Sequence, residues 1–392
     1  MNILLNATSC VIGGGIQKTS AFLAEIQRDP REHQWCLAAS RAVAEQMKNL
    51  GLADLQHMHI FESRPSKDNK VRSQIKDLTK AFHADSVFTI SGPSYIQFDA
   101  PHLLAFTDPW VTHSTWLAYR QRRFPTEWGN VLLNSLYKGY WTRKADAWTT
   151  QTETAKAGLH RRLQIPRDRV AIVANTCADR YRENMTEARF PEPGKKIRLL
   201  VFGAFYPHKR LHAAIHVAKE LKKREKHLLF EFVLTVPHQH PGLQTLFQLA
   251  DTMGVREHIV NIGPVPLVDG PKLYKSCDIC FMPTVLETFS ATYPEAMAMG
   301  LPIVTSNLGF LRDVCGAAAL YFGPKSLSAA ADPILELLGN RSLWEDLVAK
   351  GIRQLTRFPT PSVQYHGLVD VLEQLAAGTS ISENPCDMHE SL

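Results

Sequence analysis

Two carboxylates, Glu287 and Glu295, lie eight residues apart in the segment Phe281-Met-Pro-Thr-Val-Leu-Glu-Thr-Phe-Ser-Ala-Thr-Tyr-Pro-Glu-Ala-Met-Ala-Met-Gly-Leu-Pro302. A strand is expected to end near Met282 and a helix to start near Thr292. Pro294 is tolerated only in the helix's first turn, Gly300 supplies the C-terminal stop, and Pro302 opens the next strand. Glu287 then lies on the loop and Glu295 on the first helical turn. The backbone N–H groups near Phe289, Ser290 and Ala291 would form an anion site at the helix N-terminus. Such a segment offers a cradle for a diphosphate between two carboxylates able to accept hydrogen bonds from sugar hydroxyls. The same spacing also reads as a capping box, Thr292-x-x-Glu295, with Glu287 as a solvated loop acid.

A second loop, Val201-Phe-Gly-Ala-Phe-Tyr-Pro-His-Lys-Arg-Leu211, leaves a strand at Gly203 and carries His208, Lys209 and Arg210 to a helix start. Adjacent cations there suit a phosphate leaving group, or form an ordinary solvated pair. A third, Gly13-Gly14-Gly15, precedes a helix expected over Gln17–Gln27. Lys18 holds the position of the third glycine of a dinucleotide fingerprint, so that motif fails, although a ligand could still approach the backbone closely. Cys277-Asp-Ile-Cys280 has metal-like spacing without a second pair and reads as buried thiols. His238-Gln-His240 reads as a loop. Trp110–Trp128 interleaves aromatic residues with Arg120, Arg122 and Arg123, and Tyr137, Lys138, Tyr140, Trp141, Arg143 and Lys144 follow. This region reads either as a helical hairpin with a basic outer face or as a contact with an anionic membrane.

The elements that must position these residues alternate along the chain. Strands are expected at Asn2–Asn6, Ser86–Ile90, Leu103–Phe106, Ala147–Gln151, Val170–Val173, Arg198–Gly203, Leu229–Thr235, Ile259–Ile262, Ile279–Met282 and Pro302–Thr305. Amphipathic stretches such as Leu211–Arg224 and Pro271–Lys275 lie between them. Alternation of this kind implies α/β architecture with parallel sheets and right-handed crossovers. The pattern restarts after Asn175, where the polar stretch 179–196 reads as a linker. The expected division is a first domain over 1–180 and a second over 181–360. A helix over 362–377 packs back on the first, and a frayed tail follows over 378–392. Two such domains would meet at a cleft at the carboxyl ends of their strands.

The 392 residues are 45% hydrophobic and 21% charged, which excludes wholesale disorder. A net charge of +6 spread along the chain suits anionic ligands and argues against a nucleic-acid arm. Seven scattered cysteines point to reduced thiols in a cytoplasm. The N-terminus lacks the features of a signal peptide, and no apolar run is long enough to span a bilayer, so a soluble or membrane-peripheral protein is expected.

Taken in order, Glu287-x7-Glu295 followed by Ala296-Met-Ala-Met-Gly-Leu-Pro-Ile-Val-Thr-Ser306 resembles the donor-site signature of family-four retaining glycosyltransferases. The resemblance extends through Gly203 to Lys209, Gly14-Gly15, Asn261-Ile-Gly263, Leu273-Tyr-Lys-Ser-Cys-Asp278 and Val173-Ala-Asn175. It covers nearly the whole chain and is weakest over residues 30–80 and the tail. It implies a GT-B fold of two Rossmann-like domains with a nucleotide-sugar held mainly by the second. Glu295 would hold the ribose and Glu287 the donor sugar. Lys209 and the amides of Phe289, Ser290 and Ala291 would meet the diphosphate. Gly14, Gly15 and Gly203 would allow close approach, and the loop with Gly263 and Val265 would lie against the base. Lys209 and Glu287 are the implied catalytic pair, with no metal and no cofactor, and transfer retains the anomeric configuration. The implied acceptor is a saccharide or lipid-linked glycan, in surface polysaccharide assembly. Three positions depart from the pattern. Ala204 stands where arginine is usual, with Arg210 the candidate replacement. Thr107 precedes Asp108 on the acceptor side where histidine is common, with His113 nearby. Ser290 replaces glycine. The rival reading is a degenerate relative that binds a nucleotide or a partner without turnover.

Overall fold

The computed structural model describes residues 1–11, 13–53 and 55–389. Its contacts divide the chain into two compact units. The first comprises residues 1–113, 125–175 and 359–392, and the second 114–124 and 176–358. Each is built on one parallel sheet.

In the first unit the strands are β1 (Asn2–Ala7), β2 (Gln34–Ser40), β3 (His57–Phe61), β4 (Ser86–Thr89), β5 (His102–Ala105), β6 (Ala147–Thr150) and β7 (Val170–Ile172). They lie in the order β3-β2-β1-β4-β5-β6-β7. β1 is buried along nearly its whole length because helices cover both faces of the sheet. Ile3, Leu5 and Ala7 point into one core and Leu4 into the other. The helix Pro361–Ala376 supplies Tyr365, Leu368, Val369 and Leu372 to the former core. Tyr365 lies 4.8 Å from the ring of Phe22, and its hydroxyl donates to Asp29 at 2.7 Å. The helix thus packs within the first unit.

In the second unit the strands are β8 (Ile197–Val201), β9 (Phe230–Leu234), β10 (Ile259–Asn261), β11 (Ile279–Met282), β12 (Ile303–Ser306) and β13 (Ala319–Phe322), ordered β10-β9-β8-β11-β12-β13. The order reverses between β8 and β11, which pair in parallel at Ile279–Leu199 and Cys280–Leu200. Crossovers leave in opposite directions at such a point, and the loops after the two strands open beside each other. This puts the loop after Gly203 next to the loop bearing Glu287. In the first unit β1 and β4 make the same reversal.

Three expectations are corrected. The stretch 179–196 is more than a linker: it opens with the helix Asp179–Arg182, and Tyr181 is buried edge-on against Tyr274, 5.4 Å away. Thr186 continues the attachment by donating to the carbonyls of Ala298 and Met299. β2, β3 and β13 extend the sheets beyond the expected strands. The tail does not fray through His389. Ile172 donates to the Glu383 carbonyl at 2.7 Å, Lys156 pairs with Glu383 at 2.7 Å, and Cys386 is buried over Gly367. A side chain at 367 would meet the Cys386 sulfur at 3.0 Å, so the glycine admits the tail. Residues 390–392 lie outside the described residues.

Truncation after Gly378 should therefore lower Tm by several degrees, because it uncovers the apolar side of the 361–376 helix and leaves buried Lys156 without its carboxylate. An unchanged melting curve would refute the docking of the tail.

Candidate functional site

The site is built at the β8/β11 switch point. β8 ends one residue before Phe202, and Gly203 follows with φ +134, backbone that L side chains rarely adopt. The space where its Cβ would stand is taken by Lys209, whose Nζ would be 2.9 Å away. The Gly203 amide donates to Thr235 Oγ1 at the end of β9. A short 3-10 turn, Pro207–Lys209, then returns the lysine toward the sheet.

From the neighbouring strand, Val285 N–H donates to the His208 carbonyl at 2.9 Å, and Thr284 Oγ1 reaches the same oxygen at 3.3 Å. This backbone clamp fixes the two loops together. Lys209 Nζ and Glu287 Oε1 then form an ion pair at 2.9 Å, with side chains only 13% and 8% exposed.

Beyond Glu287 the chain enters the helix Thr292–Ala298, where Ser290 Oγ donates to Thr292 Oγ1. The capping box is not formed: Ala291 is the N-cap, without a side-chain hydrogen bond. The Glu295 carboxylate turns instead to Tyr274, whose hydroxyl donates to Oε2 at 2.7 Å. Burial raises the Glu295 pKa, opposed by the Tyr274 hydrogen bond and by the charges of Arg180 and Lys209. A carboxylate kept partly out of water with one lone pair committed is suited to accept neutral hydroxyl donors with its other oxygen. Gly300 closes this helix with φ +65, where a Cβ would meet the Thr186 and Glu187 carbonyls below 3 Å.

Arg210 takes a left-handed backbone, φ 52, and is buried, with Nη1 donating to the Pro324 carbonyl at 2.6 Å. That bond anchors the guanidinium beside Pro324. Gly263 has φ +80, and a Cβ there would meet the His238 imidazole at 2.5 Å, so His238 lies against the turn leading to Val265. Cys277 and Cys280 are free, buried thiols whose pKa values burial raises. Among the described residues, no group of three or more His, Cys, Asp or Glu side chains is arranged as metal ligands.

The structure thus brings Lys209 and Glu287 into contact, with Glu295 one helical turn into the same segment. The remaining candidates lie in the first unit. Gly14 and Gly15 open the helix Gly14–Ile26, with Gly15 close to Cys10 and Ser91. Burial pushes Lys18 down to about 8, opposed by Cys10. Asp108 caps the turn Pro109–Thr112 through Trp110 N–H and pairs with Lys138 at 2.6 Å, so both its oxygens are engaged. Thr107 directly precedes it. His113 is buried, its Nδ1 2.7 Å from Thr112 Oγ1. Sequence reasoning missed Tyr274 as the partner of Glu295, although it lies inside the Leu273–Asp278 segment already singled out.

Residues 184–354, which contain this geometry, match the family model of glycosyl transferases group 1. The O-antigen chain mannosyltransferase B of Escherichia coli is 27% identical over 218 residues, 53% of this chain and 56% of that protein. The chain spans about half the length of the first curated relatives it matches. Among solved structures, sucrose-phosphate synthase from Thermosynechococcus elongatus superimposes with a TM-score of 0.73 at 13% identity, over 97% of this chain and 100% of that one. Anabaena HepE in complex with UDP does so with a TM-score of 0.69 at 14% identity, over 95% and 100%. These likenesses show the GT-B fold. Within the matched segment, Lys209 and Glu287 occupy the loops that follow adjacent strands at the sheet's reversal, and Glu295 the helix after the second loop.

Tyr274→Phe removes the hydrogen bond that holds down the Glu295 pKa. If ionised Glu295 binds the ligand, the acidic limb of nucleotide affinity should move to higher pH, with affinity at neutral pH reduced about three- to tenfold. Isothermal titration across pH checks this, and an unshifted limb would show that Tyr274 does not tune Glu295.

Proposed function

We propose that this chain is a retaining glycosyltransferase. It moves a sugar from a nucleotide-diphosphate sugar to a saccharide or lipid-linked glycan acceptor, without a metal ion. The setting proposed is surface polysaccharide assembly on the cytoplasmic side, with the protein peripheral to the membrane. The observation that carries the reading is the Lys209–Glu287 pair held by the 208–285 backbone clamp, with Glu295 beside it on its tyrosine.

In this reading Glu295 accepts hydrogen bonds from the ribose hydroxyls and Glu287 from those of the donor sugar. As the glycosidic bond to the diphosphate breaks, negative charge grows on the leaving oxygen. Lys209 stabilises it with the amides of Phe289, Ser290 and Ala291. The acceptor hydroxyl attacks from the face the diphosphate leaves and gives its proton to the departing phosphate oxygen, so configuration is retained. Before the donor arrives, Glu287 keeps the lysine in place and compensates its charge in a site with little water. A mannosyl donor is supported by the O-antigen relative, and a uridine nucleotide by the HepE complex.

The non-catalytic alternative is favoured by one observation: with Ala204 in place and Arg210 bonded to Pro324, Lys209 is left as the cation this loop directs toward Glu287.

Thermal-shift measurements with UDP, GDP, ADP and TDP and their sugar conjugates test the donor site. A ligand at ~100 times its Kd adds about 2.7 kcal/mol to the native state. One nucleotide family should stabilise the wild type, and Glu295→Ala should weaken it about 10- to 100-fold. No stabilisation by any of them would refute the reading. Lys209→Ala should lower kcat about a hundredfold or more while EDTA leaves wild-type turnover unchanged. Nucleotide binding without release of nucleoside diphosphate, with or without acceptor, would instead establish the non-catalytic alternative.

A further inference from the structure

The helix Thr126–Thr142 of the first unit turns large apolar side chains outward: Leu132, Leu133, Leu136 and Tyr140 are each more than half exposed. Their spacing places them on one face. On either flank of this row the helix is fixed. Gly139 is buried so closely that a Cβ would stand 3.0 Å from Leu163 Cδ2. Tyr137 accepts a hydrogen bond from Arg72 at 2.7 Å and stacks on Tyr95. The helix therefore cannot roll its leucines inward, and a contiguous apolar row of this size marks an interaction surface.

Charge identifies the occupant. The acid in this helix, Glu127, stands in its first turn, whereas Arg143 and Lys144 follow its last. Arg143 Nε donates to the Leu163 carbonyl at 3.0 Å, which joins this end to the helix Glu153–Leu163, with His160, Arg161 and Arg162 in its own last turn. Lys144 Nζ lies 5.0 Å over the Tyr140 ring. An apolar row that runs into an aromatic ring and a cluster of cations, Lys144 half-buried and Arg143, Arg161 and Arg162 exposed, matches an anionic bilayer, in which leucines enter the acyl boundary and cations meet lipid phosphates.

We propose that this helix face docks the protein on an anionic lipid surface, with Leu132, Leu133 and Leu136 inserted and Arg143, Lys144 and Arg161 at the headgroups. The proposal deepens the reading above, since it places the enzyme where a lipid-linked acceptor resides, but docking itself does not require turnover.

Flotation of the full chain with phosphatidylcholine vesicles, with and without phosphatidylglycerol, tests it. Wild type should float with the anionic vesicles only, and less so as salt rises. Leu133→Glu/Leu136→Glu should abolish flotation. Arg143→Glu/Lys144→Glu should weaken partitioning about fivefold or more for each residue reversed, with an unchanged melting curve. Three results would overturn the proposal: no flotation of wild type, equal flotation with neutral vesicles, or a wild-type dimer by sedimentation that Leu136→Glu dissociates. Nucleotide thermal shifts on the same preparations separate the two readings. Flotation without any shift would sink the transferase function and leave docking standing, and shifts without flotation would do the reverse.

Discussion

The Lys209–Glu287 ion pair is the constraint around which the second unit is arranged. Two opposite charges that are largely withdrawn from water must be held at contact distance, because either one alone would carry an uncompensated desolvation cost. The β8/β11 reversal brings the two loops side by side, the His208 carbonyl clamps them, and the glycine at 203 leaves room for the lysine stem. Replacing any of these would displace the charges before it disturbed the sheet.

Glu295 follows a different principle. Its carboxylate is not spent on its own helix but on Tyr274, a side chain buried against Tyr181 and Phe202. The aromatic wall raises the cost of ionisation while the hydroxyl lowers it, leaving a carboxylate poised between the two. The helix Asp179–Arg182 belongs to this arrangement because Tyr181 closes the wall.

Much of this was legible in the sequence, for reasons that differ by element. The central strands are short apolar runs between turn residues, and Lys209 and Glu287 fall in the loops after such runs with Glu295 on the helix that follows, so their placement follows from topology. β2 was not distinguished because Gln34-Trp-Cys-Leu-Ala-Ala-Ser40 lacks the β-branched residues that mark a strand. β3 is an edge strand of alternating histidine and apolar residues. Tyr274, the Pro324 carbonyl and the tail were invisible for a common reason: each acts through contacts with residues distant in sequence, and no periodicity announces them. The choice between capping box and ligand-binding acid likewise depended on where one carboxylate points.

The return of the chain at Pro359 has a consequence for biosynthesis. The sheet of the first unit is made before the second unit, yet Tyr365, Leu368 and Leu372 complete its core and leave the ribosome only after the second unit has. The second unit, contiguous from 176 to 358 apart from a short insertion from earlier in the chain, emerges whole before its neighbour can close. The second unit can thus close before the first, and a premature stop codon after residue 358 would leave the first unit without part of its core.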